Sequence, residues 1–164
     1  MKTMKTIKMK KVLIALDYDT TAQKVAEVGF SLAKTMGAEV TLLHVISEPI
    51  YYTSPGHTTI MGFSNEEDIN AIQMDSVDGL KKASQNFLDK SKRYLGDNTI
   101  QTLVKEGNYA DTILSTANKL HADLIVMGSH SRKWFENIVM GSVTKEVMYH
   151  TSIPLFIIPI KQKK

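Results

Sequence analysis

The chain has no cysteine. Disulfides, thiol catalysis and thiolate metal sites are therefore excluded. It has no run of eighteen apolar residues, so no transmembrane helix is expected. The basic start, MKTMKTIKMKK, is not followed by an apolar segment of signal-peptide length with a small-residue cleavage site. The expectation is a soluble cytoplasmic protein with no membrane partner. The five histidines (His44, His57, His121, His130, His150) include no metal-spaced pair. His44, inside an apolar run, reads as a satisfied core residue. No GxxxxGK[ST] motif occurs, so there is no Walker loop. No Ser-His-Asp set has informative spacing. No catalytic residue is assigned, and no metal site is expected from protein groups alone. The chain is not expected to be an enzyme. Internal repeats and low-complexity segments are absent too.

What is present suits one domain spanning 1–164: 164 residues, of which 43% are hydrophobic, enough for a sizeable core. The formal net charge of +3 misleads, because the charge is unevenly placed. Residues 1–11 and 161–164 hold eight of the twenty Lys and Arg and no Asp or Glu. The body keeps twelve basic residues against seventeen acidic ones, an excess of five negative charges. A nucleic-acid binder carries its basic excess on a folded face. Here the excess lies in two tails, about 1–9 and 161–164, which read as flexible and solvated. No nucleic-acid partner is expected.

Strand and helix patterns alternate along the body. KVLIALD (11–17) is a continuous apolar run with a polar end, the pattern of a strand buried on both faces. Thr20 or Thr21 then caps a helix whose apolar positions recur at helical spacing, and Gly37 ends it. Residues 39–46 form a second strand. The stretch 47–63 is rich in turn formers and has no period, so it reads as an irregular excursion. Ser64 with Glu67 is a capping-box signature for a helix running to about Leu95. A strand at 99–107, a helix at 108–120, a strand at 122–128, a helix at 142–150 and a strand at 152–160 follow. Pro154 and Pro159 suit the ends of a strand at a sheet edge. The fold class is α/β, with a parallel sheet and right-handed crossovers.

In open parallel sheets, ligands sit beyond the carboxyl ends of the strands, where strand order reverses. That directs attention to Asp17, residues 46–49, Gly107-Asn108 and the loop after Gly128. The loop runs from a strand end to Gly141-Ser142-Val143-Thr144 at a helix start. Glycine lets the backbone approach an anion, and a helix amino end offers free N–H groups and a positive dipole. His130, Arg132 and Lys133 could add charge or donors. The alternative is that Gly128 only turns the chain and Ser142 only caps a helix. Asp17 could likewise accept from a ribose hydroxyl or cap a helix. Tyr51, Tyr52, His57 and Phe63 form either a lid or a plain surface loop. Trp134 and Phe135 would pack on the sheet rim or on a partner chain. For hydrolysis, Ser142 with Asp17 could hold a metal and Glu136 or His130 could orient water, but the bland reading is surface polar residues.

These segments resemble the universal stress protein family over nearly the whole chain. The resemblance rests on KVLIALD, TLLHVI, VKEGNYADTIL, ADLIVMGSHS and MGSVTKEVMYHTSIPLFIIP. The family's nucleotide motif, Gly-x2-Gly-x9-Gly-Ser/Thr, falls on Gly128, Ser131, Gly141 and Ser142 with the right spacing. Ser131 replaces the second glycine. It fits if its φ is negative, and costs about 1 kcal/mol if φ is positive. The resemblance implies a three-layer Rossmann-like sandwich, its five-stranded parallel sheet ordered 3-2-1-4-5. It implies an ATP site, with AMP or another adenine nucleotide and Mg²⁺ as variants. Ala15, Leu16, Asp17, Val45 and Met127 would line the adenine and ribose side. Gly128, His130, Ser131, Arg132, Gly141, Ser142, Val143 and Thr144 would wrap the phosphates. A homodimer would pair the edge strand at Pro154, Leu155, Phe156, Ile157 and Ile158, and an unidentified regulatory protein would read it. The competing readings are a dimer acting through protein contacts without nucleotide, and a slow ATPase.

Overall fold

The computed structural model describes residues 2–17, 21–47, 77–129 and 140–160. Its elements in chain order are β1 (Lys11–Ala15), α1 (Ala22–Met36), β2 (Glu39–Ile46), α2 (Val77–Leu95) and β3 (Gln101–Glu106), then α3 (Tyr109–Lys119), β4 (Leu124–Gly128), α4 (Ser142–His150) and β5 (Leu155–Ile158). The five strands form one sheet in the order β3-β2-β1-β4-β5, with every neighbouring pair parallel. This is the expected order.

Side-chain alternation divides the core into two layers. Val12, Ile14, Leu42, Leu124, Val126 and Ile158 pack against α1 and α2 through Val25, Ala26, Ala33, Phe87 and Leu88. Leu13, Leu43, Val45, Ile125 and Met127 pack against α3 and α4 through Ala110, Ile113, Ala117 and Val147. Each large side chain so buried contributes about 1.5–3 kcal/mol. The central strands are apolar on both faces because helices cover both. Helix α1 crosses so close that a Cβ on Gly29 would lie 2.9 Å from Ile14 Cδ1 and 3.1 Å from Val126 Cγ1.

Element ends follow local chemistry, with some departures. Gly37 closes α1 in the left-handed region (φ 63°), as expected of a C-cap. Thr21 stands at the N-cap of α1 but does not cap it. Its backbone is already helical (φ −87°, ψ −10°) rather than extended as in a capping residue, and its side chain makes no capping bond. Thr20 and the Ser64 capping box lie outside the described residues. Asn108 caps α3 by accepting from Asp111 N–H at 3.1 Å. β1 stops at Ala15 rather than Asp17, although Leu16 N–H still donates to Leu43 O at 2.8 Å. β3 starts at Gln101, after Asp97 has drawn Thr99 into a turn through its N–H (2.9 Å) and hydroxyl (2.6 Å). β5 covers only 155–158, held between Pro154 and Pro159, and it lies at the sheet edge. No described helix is long and apolar enough to cross a membrane.

Candidate functional site

Strand order reverses at β1, which bonds to β2 on one side and β4 on the other. Ala15 is level with Leu43 and Ile14 with Val126. One pleat further, Asp17 reaches the level of Val45, and Leu16 that of Gly128. Ala15, Val45 and Met127 share the α3–α4 face, where Val45 and Met127 are buried. Val143 of α4 packs against the same cluster. Leu16 differs. Its side chain is buried on the opposite face, in the α1–α2 layer, so only its backbone can face the switch point.

That backbone is fixed from β2. Leu16 N–H donates to Leu43 O, and Leu16 O lies 2.9 Å from His44 Nδ1. A carbonyl only accepts, so Nδ1 carries the proton. The buried His44 ring meets the Phe87 ring edge-on, at 6.1 Å and 86°. His44 is thus a core residue with a polar duty: it holds the carbonyl immediately before Asp17.

At the exit of β4, Gly128 is closely packed by side chains. A Cβ there would lie 3.0 Å from Val25 Cγ2 and 3.3 Å from Ile160 Cγ1. Ser129 follows and is bonded on three sides. Its N–H donates to Ile158 O (2.9 Å), its carbonyl accepts from Gly141 N–H (3.0 Å), and its hydroxyl accepts from Ile160 N–H (2.9 Å). The glycine loop is therefore closed at its neck by the Ser129–Gly141 bond.

Helix α4 begins at this neck. Gly141, its N-cap, is extended (φ −69°, ψ 161°) and has no side chain with which to cap the helix. The intrahelical ladder starts with Lys145 N–H to Gly141 O at 3.0 Å. The first-turn N–H groups of Ser142, Val143 and Thr144 precede that ladder, and helix ends of this kind suit anions. Gly141 N–H itself is engaged by Ser129, and the buried Thr144 hydroxyl donates to Gly128 O at 3.0 Å. Thr144 thus braces α4 against β4 with its side chain and offers the site its backbone.

The fold gathers Ala15, Leu16, Asp17, Val45, Met127, Gly128, Gly141, Ser142, Val143 and Thr144 at the carboxyl end of the sheet around the β1–β4 switch. His130, Ser131 and Arg132 lie outside the described residues, as do Lys133, Trp134, Phe135, Glu136 and the excursion from 48 onward. The sequence reading missed Ser129 as a site residue. The Gly128-Ser129 pair was its only signal, and three backbone partners distant in sequence cannot be read from a dipeptide. Among the described residues, no group of three His, Asp or Glu side chains could hold a metal ion.

The opposite pole is differently built. There, Asp123 accepts from Lys10 N–H (2.8 Å) and Lys11 N–H (3.0 Å), which hold its carboxyl below the usual range. Asp97 is lowered to about 2 by Thr99 first and Lys34 next. A cavity of about 230 Å³ opens at the amino ends of β1, β2 and β3, bordered by Lys11, Glu39, Thr41 and Gln101. It is remote from the switch point, and the buried Val12, Leu13, Val40 and Ala122 line it beside the exposed strand ends.

The family model for the universal stress protein family matches residues 8–159. The chain is 28% identical over 150 residues to universal stress protein YxiE of Bacillus subtilis, covering 90% of this chain and 97% of that protein. It is 26% identical over 160 residues to universal stress protein MJ0577 of Methanocaldococcus jannaschii, covering 95% of this chain and 98% of that one. The solved structure of MJ0577 superposes with a TM-score of 0.68 over 96% of this chain and all of that one, at 24% identity. The fold is shared more widely. A universal stress protein in complex with cAMP has a TM-score of 0.61 at 13% identity, covering 93% of this chain and 98% of that one. One from Archaeoglobus fulgidus in complex with dAMP has 0.55 at 19%, covering 92% and 98%.

Proposed function

The chain belongs to the universal stress protein family, and from that premise we propose that it is a cytoplasmic regulatory protein that binds ATP at the β1–β4 switch point. The observation that carries the proposal is the pairing of two features at one neck. The glycine at the end of β4 and the uncapped amino end of α4 are joined by the 3.0 Å Ser129–Gly141 bond. An anion between them meets backbone donors and the positive end of a helix dipole. Ala15, Val45 and Met127 provide an apolar wall on the same face for a flat base. Asp17, at the end of β1, is placed for a ribose hydroxyl. That relatives of the same fold hold cAMP and dAMP supports an adenine nucleotide as the ligand class. When ATP is bound, Mg²⁺ would accompany its phosphates; the first-turn donors of α4 suit the phosphate oxygens, and Asp17 and Ser142 supply oxygen ligands of the kind Mg²⁺ takes.

The role is binding and signalling, without turnover. Bound nucleotide would alter the glycine loop or the dimer surface that a partner reads. The dimer would form through the edge of β5, where Leu155, Phe156 and Ile157 present an apolar strand with one side unpaired in the sheet. A dimer that acts without nucleotide is the second reading, and Ser131 at the second motif position favours it.

Gly141→Asp tests the site. The extended backbone at 141 accepts any L-residue, and an N-cap Asp stabilises a helix by a few tenths of a kcal/mol relative to Gly. The same carboxylate occupies the anion position and repels phosphate. Because Gly141 is buried, urea unfolding accompanies the titration; the expected variant unfolds cooperatively and does not bind ATP in calorimetry. A variant that binds as tightly as the parent places the nucleotide elsewhere.

A further inference from the structure

Ser129 joins three chain segments that are far apart in sequence. Its hydroxyl and N–H hold Ile160 and Ile158, and its carbonyl holds Gly141. The Ile158–Ile160 segment is itself anchored. Lys24 Nζ of α1 donates to Pro159 O at 3.2 Å, and Ile160 packs into the α1–α2 layer. Ile160 also lies against Gly128, as the 3.3 Å approach of its Cγ1 to a Cβ built there shows. A second tie, from the Thr144 hydroxyl to Gly128 O, joins α4 to the same two residues of the β4 exit. The amino end of α4 is therefore aimed by Gly128 and Ser129, and these in turn are backed by the last described residues of the chain.

We infer that Ser129 is a positioning residue that couples the anion-binding turn to the C-terminal segment Ile158–Ile160. The segment works as a backing strap: when it is bonded to Ser129, the neck is closed and the first-turn donors of α4 converge. Coupling is reciprocal, so a ligand that tightens the neck also tightens the strap. The inference rests on the nucleotide reading for its ligand, and on hydrogen bonds and the packing of Ile160 for its mechanics.

The experiment is amide hydrogen exchange with and without ATP on the full chain, paired with ATP calorimetry. In the parent protein, ATP slows exchange at Ile160 as well as at Gly141. Ser129→Ala speeds exchange at both amides and weakens ATP about threefold to tenfold, the scale of one lost hydrogen bond. Ser129→Thr, which keeps the hydroxyl, restores both. Ile160→Pro removes the same bond from the other side, so the double variant binds no more weakly than the weaker single one. Unchanged Gly141 exchange in Ser129→Ala overturns the coupling, as does unchanged affinity when Ile160 is released. If the parent binds no ATP, the nucleotide reading fails separately. Gly141 exchange then still decides: release in Ser129→Ala upholds the strap, and no release refutes it.

Discussion

At the scale of the residue, small features decide large ones. Gly29 lets α1 lie close to the sheet, where the ends of two buried side chains occupy the space a Cβ would take. Alanine there gains up to about 1 kcal/mol of helix propensity, which offsets part of the crowding. Valine adds bulk and no such gain, so Gly29→Val is expected to lose about 1–3 kcal/mol in urea unfolding, with Gly29→Ala much nearer the parent. Asp97 gives a prediction in pH. Its folded pKa is lowered to about 2, below the unfolded carboxylate value near 3.9, so it stabilises the fold above the unfolded value. That contribution is lost as pH falls through the folded value. Thermal unfolding midpoints of the parent and Asp97→Asn should differ at neutral pH and converge toward pH 2; a constant gap would remove the carboxylate from the explanation. His44 shows the limit of sequence at this scale. Its place in an apolar run marked it as buried, but its bond to Leu16 O depends on the register of two strands 28 residues apart.

At the scale of the element, the helices and strands were legible because burial on both faces leaves continuous apolar runs, and because Gly37, Gly96 and Asn108 carry local stop and start chemistry. That Thr21 leaves α1 without a side-chain cap was not legible, since capping turns on a ψ angle that threonine alone does not determine. The two sheet edges also differ. β3 ends in Lys105 and Glu106, with Glu106 paired to Lys81 at 2.9 Å, and such charges discourage pairing with another strand. β5 has no charge, and Phe156 keeps 39% of its surface exposed. Pro154 O and Ile158 O bond toward β4, so the backbone of Ile157 points outward by alternation. Ile157→Pro removes an outward donor and spares the β4 ladder. Sedimentation velocity should show a dimer for the parent and a monomer for this variant, with unfolding still cooperative. An unchanged dimer would place the interface away from β5.

At the scale of the whole molecule, the two poles have separate duties. The amino ends of the strands are tied by Asp123 and Asp97 to nearby backbone and lysine groups, which is structural work. The carboxyl ends converge on one neck, where Ser129 and the Thr144 hydroxyl brace the start of α4. The sequence disclosed the α/β alternation through its strand and helix patterns, and the family resemblance supplied the sheet order, which the structure shares. It did not disclose the bracing by Ser129 and Thr144, which arises only when β4, α4 and β5 meet. The central claim is that this neck binds ATP, and calorimetric titration of ATP into the full chain tests it most directly. The account predicts saturable binding by the parent and none by Gly141→Asp. Absence of binding by the parent at millimolar ATP would contradict it.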